Sequence, residues 1–358
     1  MLLTYANNKG KIPEEDFIFK EINIIHQPSS LRGFVGLGEQ LVYNFDLPEA
    51  REKRFLGSSG TWLITIDYDG VINLLNPFSR VQCSLPPQST CYDCEDKHHY
   101  NGRQARDILT HKVVLFSSPL VGDSIAIAIA GHGRKLSIAR IGDASWIGCP
   151  TPEYLLDDVV FYKEQIYVIN VYGVVMVCDI SDGVDHPKAS ILTRWFQPPE
   201  VNIDDVKKFY LVEWMGDLLM VLKLMDSDKL QEFLDLPKEK KRIERMNRSE
   251  DTLLCKPKGF KVYRLNFAEK KWDELKNLGE FSLFLGRNTS ISVLSSNKCI
   301  KKNCIYFTDD YPRAWRVSDT MAGRAMGVFD METNIIQPHY KGVSTSRYSP
   351  PIWLVPSA

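Results

Sequence analysis

One short stretch of this sequence has the residue types and spacing of a metal site. Cys91 and Cys94 have two residues between them, and His98 and His99 follow shortly after. Thiolates and imidazoles are ligands that zinc accepts, so zinc is one interpretation. Structural zinc sites usually have a regularly spaced second half, which this stretch lacks. We favour a loop with incidental thiols and predict no metal and no cofactor.

Two pairs of adjacent acids could also do chemistry. Asp157-Asp158 and Asp309-Asp310 each stand at the end of an apolar, strand-like pattern. Such pairs can serve acid–base or calcium chemistry, but aspartates at strand ends are commonly turn formers. His132 lies in a predicted hairpin turn without a nucleophile nearby in sequence, and Lys112 matches no nucleophile motif. We therefore predict structural roles for these residues and a protein that is not an enzyme.

Aromatic and arginine side chains beside predicted strand ends are the stronger functional signal. Such residues anchor many protein interfaces. The alternative for Trp315 is that it packs against a neighbouring sheet. The candidate protein-binding residues are Tyr311, Arg313, Trp315, Arg316, Arg134 and Arg287.

The most regular strand pattern in the chain is found over residues 158–181. It predicts strands at Val159–Tyr162, Ile166–Asn170 and Val174–Asp179, with a tight turn at Tyr172-Gly173. The last two strands are almost continuously apolar, which is typical of strands covered on both faces. Similar hairpins must therefore pack on each side.

Related patterns recur along the chain in units of about 40 to 50 residues with four strands each, the size of a propeller blade. The pattern predicts an all-β, single Kelch-like β-propeller of six blades, with seven as the alternative, each a four-stranded antiparallel sheet. The predicted units are 1–53 joined by 345–358, then 54–108, 109–151, 152–200, 201–278 and 279–344. We expect the C-terminal strand at 350–356 to close the ring by pairing with Leu2–Tyr5 or Leu41–Phe45.

Composition narrows the class of protein. The formal net charge of −1 argues against recruitment of nucleic acid or an anionic membrane. We find neither a membrane-spanning run nor a signal peptide, and several of the eight cysteines lie inside apolar strands. These features predict an intracellular protein of the cytoplasm, the nucleus or both. The basic run Lys238–Arg248 is either a nuclear import signal or, as we favour, a solvated insertion.

Nine motifs in order resemble the plant F-box-associated family with the KIB-type β-propeller domain, a domain of unknown function. The resemblance covers residues 31–358, after an irregular N-terminal segment at 1–30. The motifs are Gly57–Thr65, Ile72–Phe78, Leu85–Pro87, Asp158–Lys163, Tyr210–Glu213, Gly259–Leu265, Leu283–Asn288, Asn303–Asp310 and Pro351–Pro356.

The resemblance implies a non-enzymatic protein-binding propeller, similar to the substrate-recognition half of an F-box protein of an SCF ubiquitin ligase. The implied partner is a protein substrate, and in at least one branch of the family it is a kinase. F-box helices, which bind a Skp-type adaptor in this family, are not recognised at the start of this sequence. We therefore expect either a truncated gene model or a member that acts without the F-box and does not dock on the adaptor itself. The alternative function is a propeller enzyme or small-ligand binder that uses the central channel.

Overall fold

The chain folds into a ring of antiparallel sheets. The computed structural model describes residues 19–22, 30–37, 42–94, 105–106, 108–120, 124–181, 183, 185–195, 200–225, 257–296, 299–308, 310, 326–338 and 351–355. Within these ranges the regular elements are strands, short 3₁₀ turns at Pro48–Ala50, Gln88–Thr90 and Ile203–Asp205, and helical residues at Ala105, Arg106 and Ile108. In this part of the chain, no helix combines the length and apolar character needed to cross a membrane.

The strands are numbered in chain order. They are β1 Phe19–Ile22, β2 Leu31–Gly36, β3 Val42–Asp46, β4 Arg54–Ser59, β5 Trp62–Ile66, β6 Ile72–Leu75, β7 Gln82–Leu85, β8 Thr110–Leu115, β9 Ile125–Ala130, β10 Lys135–Arg140, β11 Ile147–Cys149, β12 Leu156–Tyr162, β13 Gln165–Asn170, β14 Val174–Asp179, β15 Lys188–Arg194, β16 Val206–Trp214, β17 Asp217–Met225, β18 Pro257–Asn266, β19 Lys271–Glu274, β20 Phe281–Leu285, β21 Ile291–Leu294, β22 Cys304–Phe307, β23 Gly327–Asp330, β24 Ile336–Gln337 and β25 Trp353–Leu354.

Five blades are each built from consecutive strands. They comprise β4–β7, β8–β11, β12–β15, β16–β19 and β20–β24, and we number them blades 1 to 5. Blades 1 to 4 are four-stranded antiparallel meanders, whereas blade 5 has five strands in the order β21-β20-β22-β23-β24. Its β20 and β22 run parallel. The remaining sheet, here called the closing sheet, has the order β25-β1-β2-β3 and joins the two ends of the chain.

The all-β propeller is confirmed, but the predicted count of six blades, or seven, is wrong. Counting as blades the sheets built from consecutive strands, the described residues form five, and their boundaries agree with the predicted units between residues 54 and 344. The sequence units were counted from apolar hairpins, so the sheet expected from residues 1–53 and 345–358 was counted together with the blades built from consecutive strands. It also missed the extra strand of blade 5, because β20 and β21 form a hairpin that is separate in sequence from β22.

The pairing of the terminal strand also differs from the prediction. Trp353 and Leu354 of β25 pair with Lys20 and Phe19 of β1. Of the two predicted partners, Leu2–Tyr5 lies outside the described residues, and the segment around Phe45 forms β3 at the opposite edge of the closing sheet. The closing sheet therefore extends upstream of residue 31, to Phe19.

The core consists of apolar layers between neighbouring sheets. Ile64 of blade 1 and Val113 of blade 2 share one such layer, and Leu211 of blade 4 joins residues of blade 3 in another. Trp353 belongs to the layer between blade 5 and the closing sheet. Because both faces of these strands are covered, their sequences are continuously apolar, as predicted for 158–181. Cys178 is buried in the layer between blades 2 and 3, as expected for a core thiol.

Candidate functional site

One edge strand of each blade lies toward the centre of the ring. β4, β8, β12, β16 and β21 each lie at one edge of a blade and contact the corresponding strand of a neighbouring blade. We call them the inner strands. Side chains that point from them toward the centre occupy the place where a propeller channel would run, so this region was the predicted site of the alternative function.

Asp158 on β12 is the first of two charged centres there. It is fully buried and pairs with Lys112 of β8, which is also buried. Its Oδ2 accepts hydrogen bonds from the Leu211 amide and the Ser290 hydroxyl, both at 3.0 Å. Its Oδ1 also accepts from the Val159 amide at 2.8 Å. One carboxylate thus connects blades 2, 3, 4 and 5. Its contacts, to a buried lysine, two backbone amides and a hydroxyl, hold the blades together.

Asp310, which follows β22, is the second charged centre. Its carboxylate lies 2.9 Å from the ammonium groups of both Lys208 and Lys223 and accepts a hydrogen bond from Tyr210 at 2.7 Å. Burial by itself raises the pKa of Asp310, but the two ammonium groups and the hydroxyl together hold that pKa below its ordinary value. Burial, followed by the nearby Asp310 charge, raises the pKa of the Tyr210 phenol. Asp310 is therefore held as a carboxylate and Tyr210 as a neutral donor.

Asp157 and Arg134 mark the N-terminal end of the inner strands. Asp157 accepts from the Phe209 amide at 3.0 Å and forms a 3.0 Å ion pair with Arg134. A ring nitrogen of His111 lies 3.2 Å from the carbonyl oxygen of Gly131. Burial, together with the charges of Arg134, Arg287 and Arg54, lowers the pKa of His111 to about 3. The imidazole is consequently neutral at physiological pH.

The paired aspartates do not have the roles that the sequence suggested. Asp157 and Asp158 lie within β12 rather than in a turn, and Asp310 is buried at the centre of the ring. The prediction that they form turns is wrong for these three residues: Asp158 and Asp310 neutralise lysines in the centre of the ring, and Asp157 pairs with Arg134 and the Phe209 amide. Asp309 lies outside the described residues.

Sequence reasoning did not recognise the two charged centres. Lys112 and Lys223 are both 2% exposed; Lys223 interrupts a run of apolar strand residues, whereas Lys112 follows Thr110 and His111. A charged residue inside a doubly covered strand must have a buried partner of opposite charge. The interruption at Lys223 was the available signal for the centre around Asp310.

Two of the predicted protein-binding residues can be located. Arg134 lies in the turn before β10, and Arg287 follows β20 with only 4% exposure. The backbone of Arg287 packs directly against Gly57 of β4, where a Cβ would collide with its carbonyl oxygen. Both arginines lie close enough to His111 to affect its pKa, so the structure brings them to one end of the inner strands. Tyr311, Arg313, Trp315 and Arg316 lie outside the described residues.

The cysteines of the weak metal candidate lie in a hydrophobic environment. Cys91 and Cys94 are buried in the apolar layer between blades 1 and 2, and burial raises the pKa of the Cys91 thiol. His98 and His99 lie outside the described residues. Among the residues that are described, no group of three His, Cys, Asp or Glu side chains could hold a metal ion.

The opposite end of the inner strands carries a cavity of about 240 Å³. Phe116, Phe161 and Glu213 are among the residues that line it. The two phenyl rings are in contact, with centroids 3.5 Å apart and an interplanar angle of 34°. This end combines aromatic side chains with an acidic residue, in contrast to the arginine-rich end.

These features define the class of protein: a β-propeller whose centre is filled by satisfied ion pairs and whose two ends differ in chemistry. The family model described as KIB1-4 beta-propeller matches residues 34–330. The chain belongs to this plant KIB-type propeller family.

Relatives of the chain include F-box proteins of Arabidopsis thaliana. The F-box/kelch-repeat protein KIB1 is 25% identical over 74% of this chain and 56% of its own length. F-box protein KIB4 is 22% identical over 71% of this chain and 60% of its own length. A putative F-box protein is 23% identical over 66% of this chain and 59% of its own length. The chain thus spans well under two thirds of the length of each of these three relatives. Kinship with F-box propeller proteins points to a role in protein interaction.

Proposed function

We propose that this propeller binds a protein substrate as the recognition half of an F-box-type receptor of an SCF ubiquitin ligase, without catalysing a reaction itself. The single observation that carries the proposal is membership of the KIB1-4 beta-propeller family, whose similar members are F-box proteins. The substrate class is a folded protein, and a kinase is the first candidate. The proposed compartment is the cytoplasm, the nucleus or both.

The chemistry of the centre supports a scaffold rather than a reaction site. Lys112, Asp158, Lys223 and Asp310 are at most 2% exposed and satisfy one another. A general base or nucleophile must reach a substrate atom, and these four groups cannot do so without breaking buried pairs. Recognition therefore belongs to the ends of the ring, which favours a protein ligand over a small molecule in the channel.

The proposal is tested by affinity purification of the tagged chain from its native tissue after crosslinking, with quantitative mass spectrometry. We expect a specific protein substrate, and recovery of Skp-type adaptor and cullin subunits would add ligase coupling. A Trp315→Ala/Arg316→Ala variant should lose the substrate, whereas Lys276→Ala, an exposed change on blade 4, should retain it. Failure to recover a specific partner with both the wild type and the Lys276→Ala control would overturn the proposal.

A further inference from the structure

The cavity beside Phe116 lies at an end of the inner strands where apolar side chains are exposed. Phe116, which lines the cavity, is 42% exposed. Leu120 and Met215 are 65% exposed and Leu294 is 51% exposed, and they follow or end β8, β16 and β21. Exposed apolar residues clustered around a concave site are characteristic of interaction surfaces.

Glu213 gives this surface its charge. Its side chain is exposed at the cavity, and Oε1 accepts a hydrogen bond from the Gly216 amide at 2.8 Å. That bond fixes the carboxylate in place. Within the described part of the chain, no lysine, arginine or histidine forms an ion pair with it. The carboxylate is therefore available to a cation from outside.

Two phenyl rings and one carboxylate favour a particular type of ligand. Faces of aromatic rings attract cations, and a carboxylate beside them adds a charge-assisted hydrogen bond. The aliphatic part of a lysine or arginine side chain also packs well against apolar surface. A volume of about 240 Å³ accommodates one such side chain but not a bulky ligand.

We infer that this cavity binds a basic side chain, arginine or lysine, from an apolar segment of a protein partner. This inference rests on the proposed protein-binding function and adds a second contact surface, at the end of the ring opposite Arg134. The apolar neighbours of the basic residue pack on Phe116, Leu120 and Met215, while its charge meets Glu213.

The test uses an acetylated, fluorescein-labelled peptide with the sequence Ser-Leu-Leu-Arg-Leu-Leu-Ser and fluorescence polarisation with the full chain. We expect saturable binding that is weakened about tenfold by Glu213→Gln and by replacing the central arginine with norleucine. Phe161→Leu should weaken binding by a similar factor. The lysine peptide should bind, and the glutamate peptide should not.

Glu200→Gln is the matched control, because Glu200 is an exposed carboxylate that precedes β16, whereas Glu213 lies near the C-terminal end of that strand. It should leave the peptide affinity unchanged. Equal binding of the arginine, norleucine and glutamate peptides, or the same affinity for wild type and Glu213→Gln, would overturn the inference. If the purified substrate of the proposed receptor still binds Glu213→Gln at full strength, the inference fails while the proposed function stands.

Discussion

The hydroxyl of Tyr210 donates a 2.7 Å hydrogen bond to Asp310, which lies 100 residues further along the chain. Lys208 and Lys223 approach the same carboxylate from the strands that carry and flank Tyr210. Blade 4 therefore contributes the donors and the chain after β22 contributes the acceptor. This contact locks blade 4 to blade 5 through charge as well as through the apolar layer between them.

The first prediction concerns the loss of this carboxylate. We expect Asp310→Asn to lower the free energy of unfolding by about 3 to 5 kcal/mol, because it leaves the buried Lys223 ammonium and the partly exposed Lys208 ammonium without a counter-charge. Urea unfolding monitored by tryptophan fluorescence measures the change. Asp310→Asn combined with Lys223→Met should recover part of the loss, since only Lys208, which is partly exposed, then remains unneutralised.

An exposed ion pair provides the control for Asp310. Asp217 lies 3.5 Å from Arg264, and both side chains are more than 40% exposed. Asp217→Asn should change stability by less than about 0.5 kcal/mol. A loss for Asp310→Asn as small as this would show that the central carboxylate does not hold the ring together.

The second prediction is a dependence of stability on pH that comes from His111. Its folded pKa is about 3, below the ordinary value of about 6.5, so only the unfolded chain binds the proton between these values. Stability is then fully present above pH 6.5 and falls as the pH is lowered toward 3. Between pH 6.5 and 5.0 we expect wild type to lose about 1 to 2 kcal/mol more than His111→Gln in urea unfolding.

The comparison with His111→Gln isolates this effect from other titrations. The pKa of Asp157 is raised by burial, so this residue favours the folded state as the pH is lowered, opposite to His111. Asp157 is present in both proteins and does not contribute to the difference between them. His186 is exposed, so His186→Gln should show the same pH dependence as wild type. Identical curves for wild type and His111→Gln would mean that the imidazole is protonated in the folded state.

The third prediction concerns the turn at Gly173. Its φ of 72° favours glycine, and a Cβ there would lie 2.7 Å from the Cβ of Trp195. We expect Gly173→Ala to cost about 1 to 3 kcal/mol more than Gly142→Ala. Gly142 also has a positive φ, of 96°, but its added Cβ would meet nothing within 4 Å. Equal melting temperatures for the two variants would rule out a steric role for Trp195.

The fourth prediction concerns closure of the ring. Trp353 of β25 is 1% exposed, and its indole N–H donates to the carbonyl oxygen of Leu285 at 3.0 Å. We expect Trp353→Ala to cost about 3 to 5 kcal/mol, through the cavity it leaves. Trp353→Phe should cost less, about 1 to 3 kcal/mol, because it removes the indole hydrogen bond and part of the ring, while the Leu285 carbonyl keeps its hydrogen bond from the Thr308 amide.

Tyr172, an aromatic residue on the surface, provides the control for Trp353. Tyr172 is 60% exposed, and Tyr172→Ala should change stability by less than about 0.5 kcal/mol in thermal unfolding followed by circular dichroism. If Trp353→Ala is tolerated equally well, the terminal strand does not contribute to closing the ring.

Much of the fold could be predicted from local patterns. The hairpins of 158–181 were located to within a few residues because doubly covered strands are continuously apolar and their turns require residues such as Gly173. The family could also be identified, since its motifs lie in strands whose order is preserved. Arg134 and Arg287 were selected for their position beside strand ends, but their shared proximity to His111 depends on the ring.

The all-β class, the strand patterns and the family can be predicted from the amino-acid sequence, because they depend on residue types and periodicity within short segments. The number of blades, the partner of β25 and the pairing of Lys112 with Asp158 become evident in the folded ring. These are contacts between residues far apart in sequence. Their free energy comes from burying surfaces and charges together, which no local pattern encodes.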